Sequence, residues 1–176
     1  GFVDIARLLL RAGAHQDGDG TGRREPPLVK ACRYGRLEVV HLLLEAGADR
    51  NKVGNSTPLA AACEAGKVDI VSTLVADGLD TERFGPLANA CTHGKEEIVR
   101  VLLHARANPD GAYGLSTSMV PLAEASRKGS VEAARLLLEG RADTERRTSN
   151  DRQTALGIAA REGKAEIVQL LFPDSP

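Results

Sequence analysis

The stretch GRLEVVHLLLEAG, residues 35–47, decides how the rest of the chain is read. It opens on a glycine and places an acid, Glu38, three residues later, where a carboxylate meets the positive end of a helix dipole. Glu38, His41 and Glu45 recur at three- and four-residue steps, and the aliphatic residues between them turn to the other side. This spacing predicts an amphipathic helix with one wet face. The same pattern returns as GFVDIARLLLRAG (1–13), GKVDIVSTLVADG (66–78), GKEEIVRVLLHAR (94–106), GSVEAARLLLEGR (129–141) and GKAEIVQLL (163–171). The leading glycines stand at 1, 35, 66, 94, 129 and 163, so the spacings are 34, 31, 28, 35 and 34. The acid is always present in the first turn: Asp4, Glu38, Asp69, Glu97, Glu132 and Glu166.

A second block precedes every copy but the first: PPLVKAC (26–32), TPLAAAC (57–63), GPLANAC (85–91), VPLAEAS (120–126) and TALGIAA (154–160). Pro27, Pro58, Pro86 and Pro121 sit where a first helical residue belongs, because the missing N–H has no partner to lose there. Thr57 and Thr154 are placed to act as N-caps. Each repeat therefore reads as a short helix, a Gly-containing turn, a longer helix and a polar loop. The expected fold class is all-α, a repeat solenoid with short hairpin loops between helix pairs. The whole chain reads as one domain, with a partial repeat over 1–23 and repeats over about 24–54, 55–83, 84–118, 119–152 and 153–176.

These blocks, TPLxxA followed by a glycine turn, EIVxLLL and GADxN, resemble the ankyrin repeat, whose usual unit is about 33 residues. GADRN (47–51) and RADTE (141–145) match the loop entry, and the resemblance covers essentially the whole chain. It implies L-shaped units with hairpins projecting sideways. It also implies protein binding through the hairpin tips and the exposed side of the first helices. The chain departs from the family at the histidine that usually follows TPL: Val29, Ala60, Ala88, Ala123 and Gly157 occupy its place, which predicts looser coupling between loops. A shortened loop before Leu87 predicts a stunted hairpin, and residues 107–120 form a long polar loop. The first unit begins at its second helix, as if cut from a longer array, which would leave Phe2, Val3 and Ile5 partly uncovered. Pro173 and Pro176 stop the last helix.

Composition removes several function classes. With 23 basic and 24 acidic side chains the net charge is -1, which gives no global attraction to nucleic acid or an anionic membrane. No apolar run approaches the roughly 20 residues that span a bilayer. Aromatics make up only 3% of the chain, so the core must be built from Leu, Val, Ile and Ala. Cys32, Cys63 and Cys91 hold one repeat position, where the other repeats have Ser126 and Ala160. Helices about 8–10 Å apart are too distant for a disulfide, so these thiols read as small core fillers and point to a reducing, intracellular home. His15, His41, His93 and His104 show no metal-ligand spacing. The DGDGTG run (17–22) lacks the closing acid of a calcium loop, and the sequon at Asn55 runs into a helix start. No catalytic residues, metal or cofactor are expected, and the chain is not read as an enzyme.

What remains is a surface that the fold leaves free. Positions just before the turn glycine include Arg33, Tyr34, Thr92, His93, Arg127, Lys128 and Arg161; one turn earlier stand Lys30, Ala61, Asn89, Glu124 and Ile158. Lys30, Arg33, Tyr34, Asn89, Thr92, His93, Glu124, Arg127, Lys128 and Arg161 form the expected partner-binding set, with Tyr34 and Arg33 as the anchor. Residues 120–153 carry seven basic and six acidic groups, which suits a partner of mixed charge or an acidic peptide. The leading expectation is a monomeric scaffold that binds another protein. The alternative is the substrate-recruiting part of a larger enzyme whose catalytic domain lies elsewhere. Nucleic-acid binding through 141–152 is disfavoured by Asp143, Glu145 and Asp151.

Overall fold

The computed structural model describes residues 2–18, 25–51, 56–83, 85–111 and 119–172. The side chain of Phe2, most of the DGDGTG run, Asn55, Pro173 and Pro176 lie outside the described residues, and so does most of the long loop at 112–118. Among the described residues every regular element is a helix. The chain divides into two compact units, residues 1–80 and 81–176.

The first unit holds α1 (Phe2–Arg11), α2 (Pro27–Arg33), α3 (Leu37–Glu45), α4 (Pro58–Ala65) and α5 (Val68–Ala76). Short helices α2 and α4 pack side by side, and each packs on the longer helix that follows it. The longer helices α1, α3 and α5 line up in chain order as a second layer. The second unit repeats this arrangement with α6 (Pro86–Thr92), α7 (Glu96–His104), α8 (Pro121–Lys128), α9 (Val131–Glu139), α10 (Ala155–Arg161) and α11 (Ala165–Leu171). Here α6, α8 and α10 form the short-helix layer, and α7, α9 and α11 the long-helix layer.

Local chemistry explains the boundaries. Prolines open α2, α4, α6 and α8 as their spacing predicts. The backbone N–H groups of Ala60 and Gly157 donate to the hydroxyls of Thr57 and Thr154, each at 3.2 Å. Ser130 caps α9 in the same way through Ala133, where the other full repeats have Lys or Arg. The core between the layers is small and aliphatic: Leu28, Val40, Leu59, Ile70 and Leu74 in the first unit, and Leu87, Ile98, Leu102, Leu122, Leu137 and Ile158 in the second, are all buried. Cys32, Cys63 and Cys91 are buried and unpaired with one another. On α1, Ile5, Leu8 and Leu9 stay exposed although the helix packs on α3.

α1, α3, α5, α7 and α9 each end on a turn whose next residue must adopt a positive φ, since the N–H one residue further on reaches back to a carbonyl in the last turn. Gly47 (φ 79) and Gly78 (φ 75) do this without steric cost. In the second unit the same place is taken by Arg106 (φ 63) and Arg141 (φ 66). Ala107 still donates to the carbonyl of Leu102, and Ala142 to that of Leu137. A side-chain-bearing residue in this region costs roughly 1–2 kcal/mol.

The loops that follow are stapled to one another. At three of these turns an acid four residues after the turn residue accepts a hydrogen bond from the loop one repeat later. Asp17 Oδ1 takes the N–H of Asp49 at 2.9 Å in the first unit. Glu82 Oε1 takes that of Asn108 at 2.9 Å, and Asp110 Oδ1 that of Asp143 at 2.7 Å, in the second. Asp49, Asn108 and Asp143 each also accept from the N–H two residues on, which fixes the loop's shape. The missing histidine therefore does not leave these loops uncoupled: a carboxylate does the joining instead.

Candidate partner-binding surface

In the first unit the expected residues stand at the end of α2. Lys30 is exposed, and Tyr34, which ends the helix, is 65% exposed. Arg33 between them is committed inward. Its guanidinium donates to Glu25 Oε1 at 2.9 Å and to Glu64 Oε2 at 2.7 Å. These hydrogen bonds, that to Glu25 first, hold its pKa above the ordinary guanidinium value. Arg33 thus ties α2 to the segment before it and to α4.

In the second unit the short-helix ends carry a polar network. The Thr92 hydroxyl donates to the Ala88 carbonyl at 2.9 Å, with Glu124 Oε2 3.3 Å away. His93 Nδ1 lies 2.8 Å from the Asn89 carbonyl, so that nitrogen carries the proton. Arg127 pairs with Glu124, and that hydrogen bond raises the arginine's pKa. Arg161 reaches Glu162 at 3.0 Å and Asp151 at 3.5 Å. The stem of Lys128 runs beside Gly94, where a Cβ would stand 3.2 Å from its Cε.

Two sequence expectations are corrected here. Glu124 is buried, not presented: α8 is flanked by α6 and α10, and the carboxylate is enclosed between Thr92 and Arg127. Ala61 and Ile158, at the matching position of their helices, are also buried, and Ile158 packs with Val120 and Ala123. The exposed stripe is narrower than the sequence suggests. It retains Lys30 and Tyr34 in the first unit, and His93, Arg127, Lys128 and Arg161 in the second. Among the described residues no group of His, Cys, Asp and Glu could hold a metal ion. No helix among them is long and apolar enough to cross a membrane.

Helix pairs of this kind, repeated with prolines at the first helix and staples between loops, match a known repeat. A model of "Ankyrin repeats (3 copies)" matches residues 50–113 and 89–175, and an "Ankyrin repeat" model matches residues 23–52. The chain belongs to the ankyrin repeat family. No curated protein matches it. Among solved structures, the ankyrin repeat domain of human ASB11 is 31% identical, with a TM-score of 0.83 over 99% of this chain and 79% of that one. Ankyrin repeats are in general protein-interaction modules, and the fold is typically non-enzymatic. The staple acids of this ankyrin repeat protein, and Arg106 and Arg141 at the positive-φ turn positions, escaped the sequence reading. Their signal was there, in the recurrent GAHQD, GLDTE, RANPD and RADTE loop entries.

Proposed function

We propose that this ankyrin repeat protein is a scaffold that holds another protein against the exposed ends of its short helices and its hairpin tips. The observation that carries the reading is Tyr34, an aromatic ring left 65% exposed at a helix end where the fold uses no ring. Tyrosine supplies much contact area at little entropic cost and is enriched among the residues that dominate interfaces. Lys30 beside it, and His93, Lys128 and Arg161 in the second unit, supply the polar rim. Three buried, unpaired thiols favour a reducing compartment.

The test is affinity capture from cells of the source organism, comparing wild type with Lys30→Glu/Tyr34→Ala and with His93→Ala/Lys128→Glu. These positions leave the Arg33 and Arg127 ion pairs intact, so the fold is kept. A partner held by the wild type and lost from either variant supports the reading. Equal capture by all three forms overturns it for the short-helix ends.

A further inference from the structure

We propose that the second unit carries a separate docking site for an acidic peptide segment of a partner protein, built on Arg106 and Arg141 beside the groove between α7 and α9. The inference deepens the protein-binding reading but uses a different surface, the long-helix side.

The first observation is the backbone. Arg106 and Arg141 occupy the position that Gly13, Gly47 and Gly78 hold in the other loops, and they adopt the same left-handed conformation. The fold is satisfied by glycine there, so the arginines add nothing that the turn requires. Unfavourable backbone retained at matching positions of consecutive repeats marks side chains kept for another purpose.

The second observation is charge. Arg100, Arg127, Arg135 and Arg161 in the same unit are all ion-paired. Arg106 and Arg141 are exposed, and their guanidinium groups have no hydrogen-bond or ion-pair partner among the described residues. An unpaired guanidinium presents a planar fork of donors that matches a carboxylate two bonds at a time.

The third observation is placement. The loops carrying the two arginines are held together on both sides of them. Just before, Leu103 lies against Gly140, where a Cβ would stand 3.4 Å from its Cδ2. Just after, the N–H of Asp143 donates to Asp110 at 2.7 Å. Arg106 and Arg141 are therefore matching residues on adjacent, pinned loops. The residues just before them, Leu103 and His104 on one side and Glu139 and Gly140 on the other, line with Arg100 and Leu136 a groove of about 260 Å³. Leu103 and Leu136 give its floor an apolar character. The fitting occupant is an extended segment with two carboxylates for the arginines and an aliphatic side chain for the groove. Acids two to four residues apart on an extended chain, at about 3.3 Å per residue, span the roughly 8–10 Å between neighbouring packed helices.

The probes are short fluorescein-labelled peptides with two glutamates two, three or four residues apart around a leucine, the same peptides with glutamine, and a labelled oligothymidine. Fluorescence anisotropy is read against the intact protein and against Arg106→Gly/Arg141→Gly. Glycine suits the backbone, so this variant folds with an unchanged or higher Tm, and lost binding cannot be ascribed to unfolding. The expected result is that at least one glutamate peptide binds, its glutamine counterpart and the double variant bind at least tenfold more weakly, and Arg106→Lys/Arg141→Lys recovers only part of the affinity. Tyr34→Ala should leave this binding unchanged, so failure here and failure of the short-helix site can be told apart. Binding of no glutamate peptide, equal binding by the glycine variant, or preferential binding of the oligothymidine overturns the proposal.

Discussion

The backbone N–H of Asp143 donates to Oδ1 of Asp110, one repeat earlier, at 2.7 Å. The carboxylate is partly shielded and its own N–H is held by Asn108, so it is preorganised to accept. A charged acceptor in such a bond contributes about 1.5–3 kcal/mol. Asp110→Ala should therefore lower stability by about 2 kcal/mol in urea unfolding and increase amide exchange at Asp143. Asp110→Asn, which keeps an oxygen acceptor, should cost about half as much. An Asp110→Ala variant as stable as wild type would show that the loops need no staple.

Ser126 offers a prediction of opposite sign. It is fully buried on α8, and its Oγ has no hydrogen-bond partner among the described residues. Cysteine or alanine holds the same place in the other repeats, so the pocket accepts a small side chain without a hydroxyl. Removing the unsatisfied group by Ser126→Ala should raise stability by about 1 kcal/mol, read as a higher urea midpoint at unchanged m-value. A lower midpoint would mean that the hydroxyl is satisfied in solution.

The three thiols set the alkaline limit. Burial pushes Cys32 up to about 12, and Cys91 likewise to about 12, with Glu124 nearby adding to the latter. Cys63 is raised further by its burial. In the unfolded chain these thiols ionise near pH 8.5, so above that pH the unfolded state binds fewer protons and stability falls. The loss continues until the folded pKa is reached. Each thiol contributes a slope approaching about 1.4 kcal/mol per pH unit. Stability measured from pH 8 to 10.5 should drop steeply for wild type and less for Cys32→Ala/Cys63→Ala/Cys91→Ala. Parallel curves would refute this account. Thiol reagents at pH 8 should modify the native protein slowly and the urea-unfolded chain at once.

The repeat was legible because its signals are local. A proline at the first helical position, an acid in the first turn and a threonine cap each act within one helix end, and all stand in the sequence three or four residues apart. The short helices were harder. With seven or eight residues they contain two turns, too few for periodicity to separate a half-exposed face from a covered one. Glu124 was accordingly expected at the surface, yet α6 and α10 close over it from either side. The ion pairing of Arg33 was hidden for a different reason, since one of its carboxylate partners, Glu64, is 31 residues away. The staples were missed through attention to the family's absent histidine. The substitute, an acid four residues beyond the turn, recurs as regularly as the prolines do.

Those staples point one way. In all three staples the earlier loop supplies the acceptor and the later loop the donor. A stapled repeat thus offers a plug at one edge to a socket on its neighbour, with the same chemistry in both units. A whole repeat copied or deleted by recombination brings or removes one of each, so the neighbours left facing one another still fit. Length becomes something evolution can alter by whole units, while the side chains that choose a partner change independently of the joints.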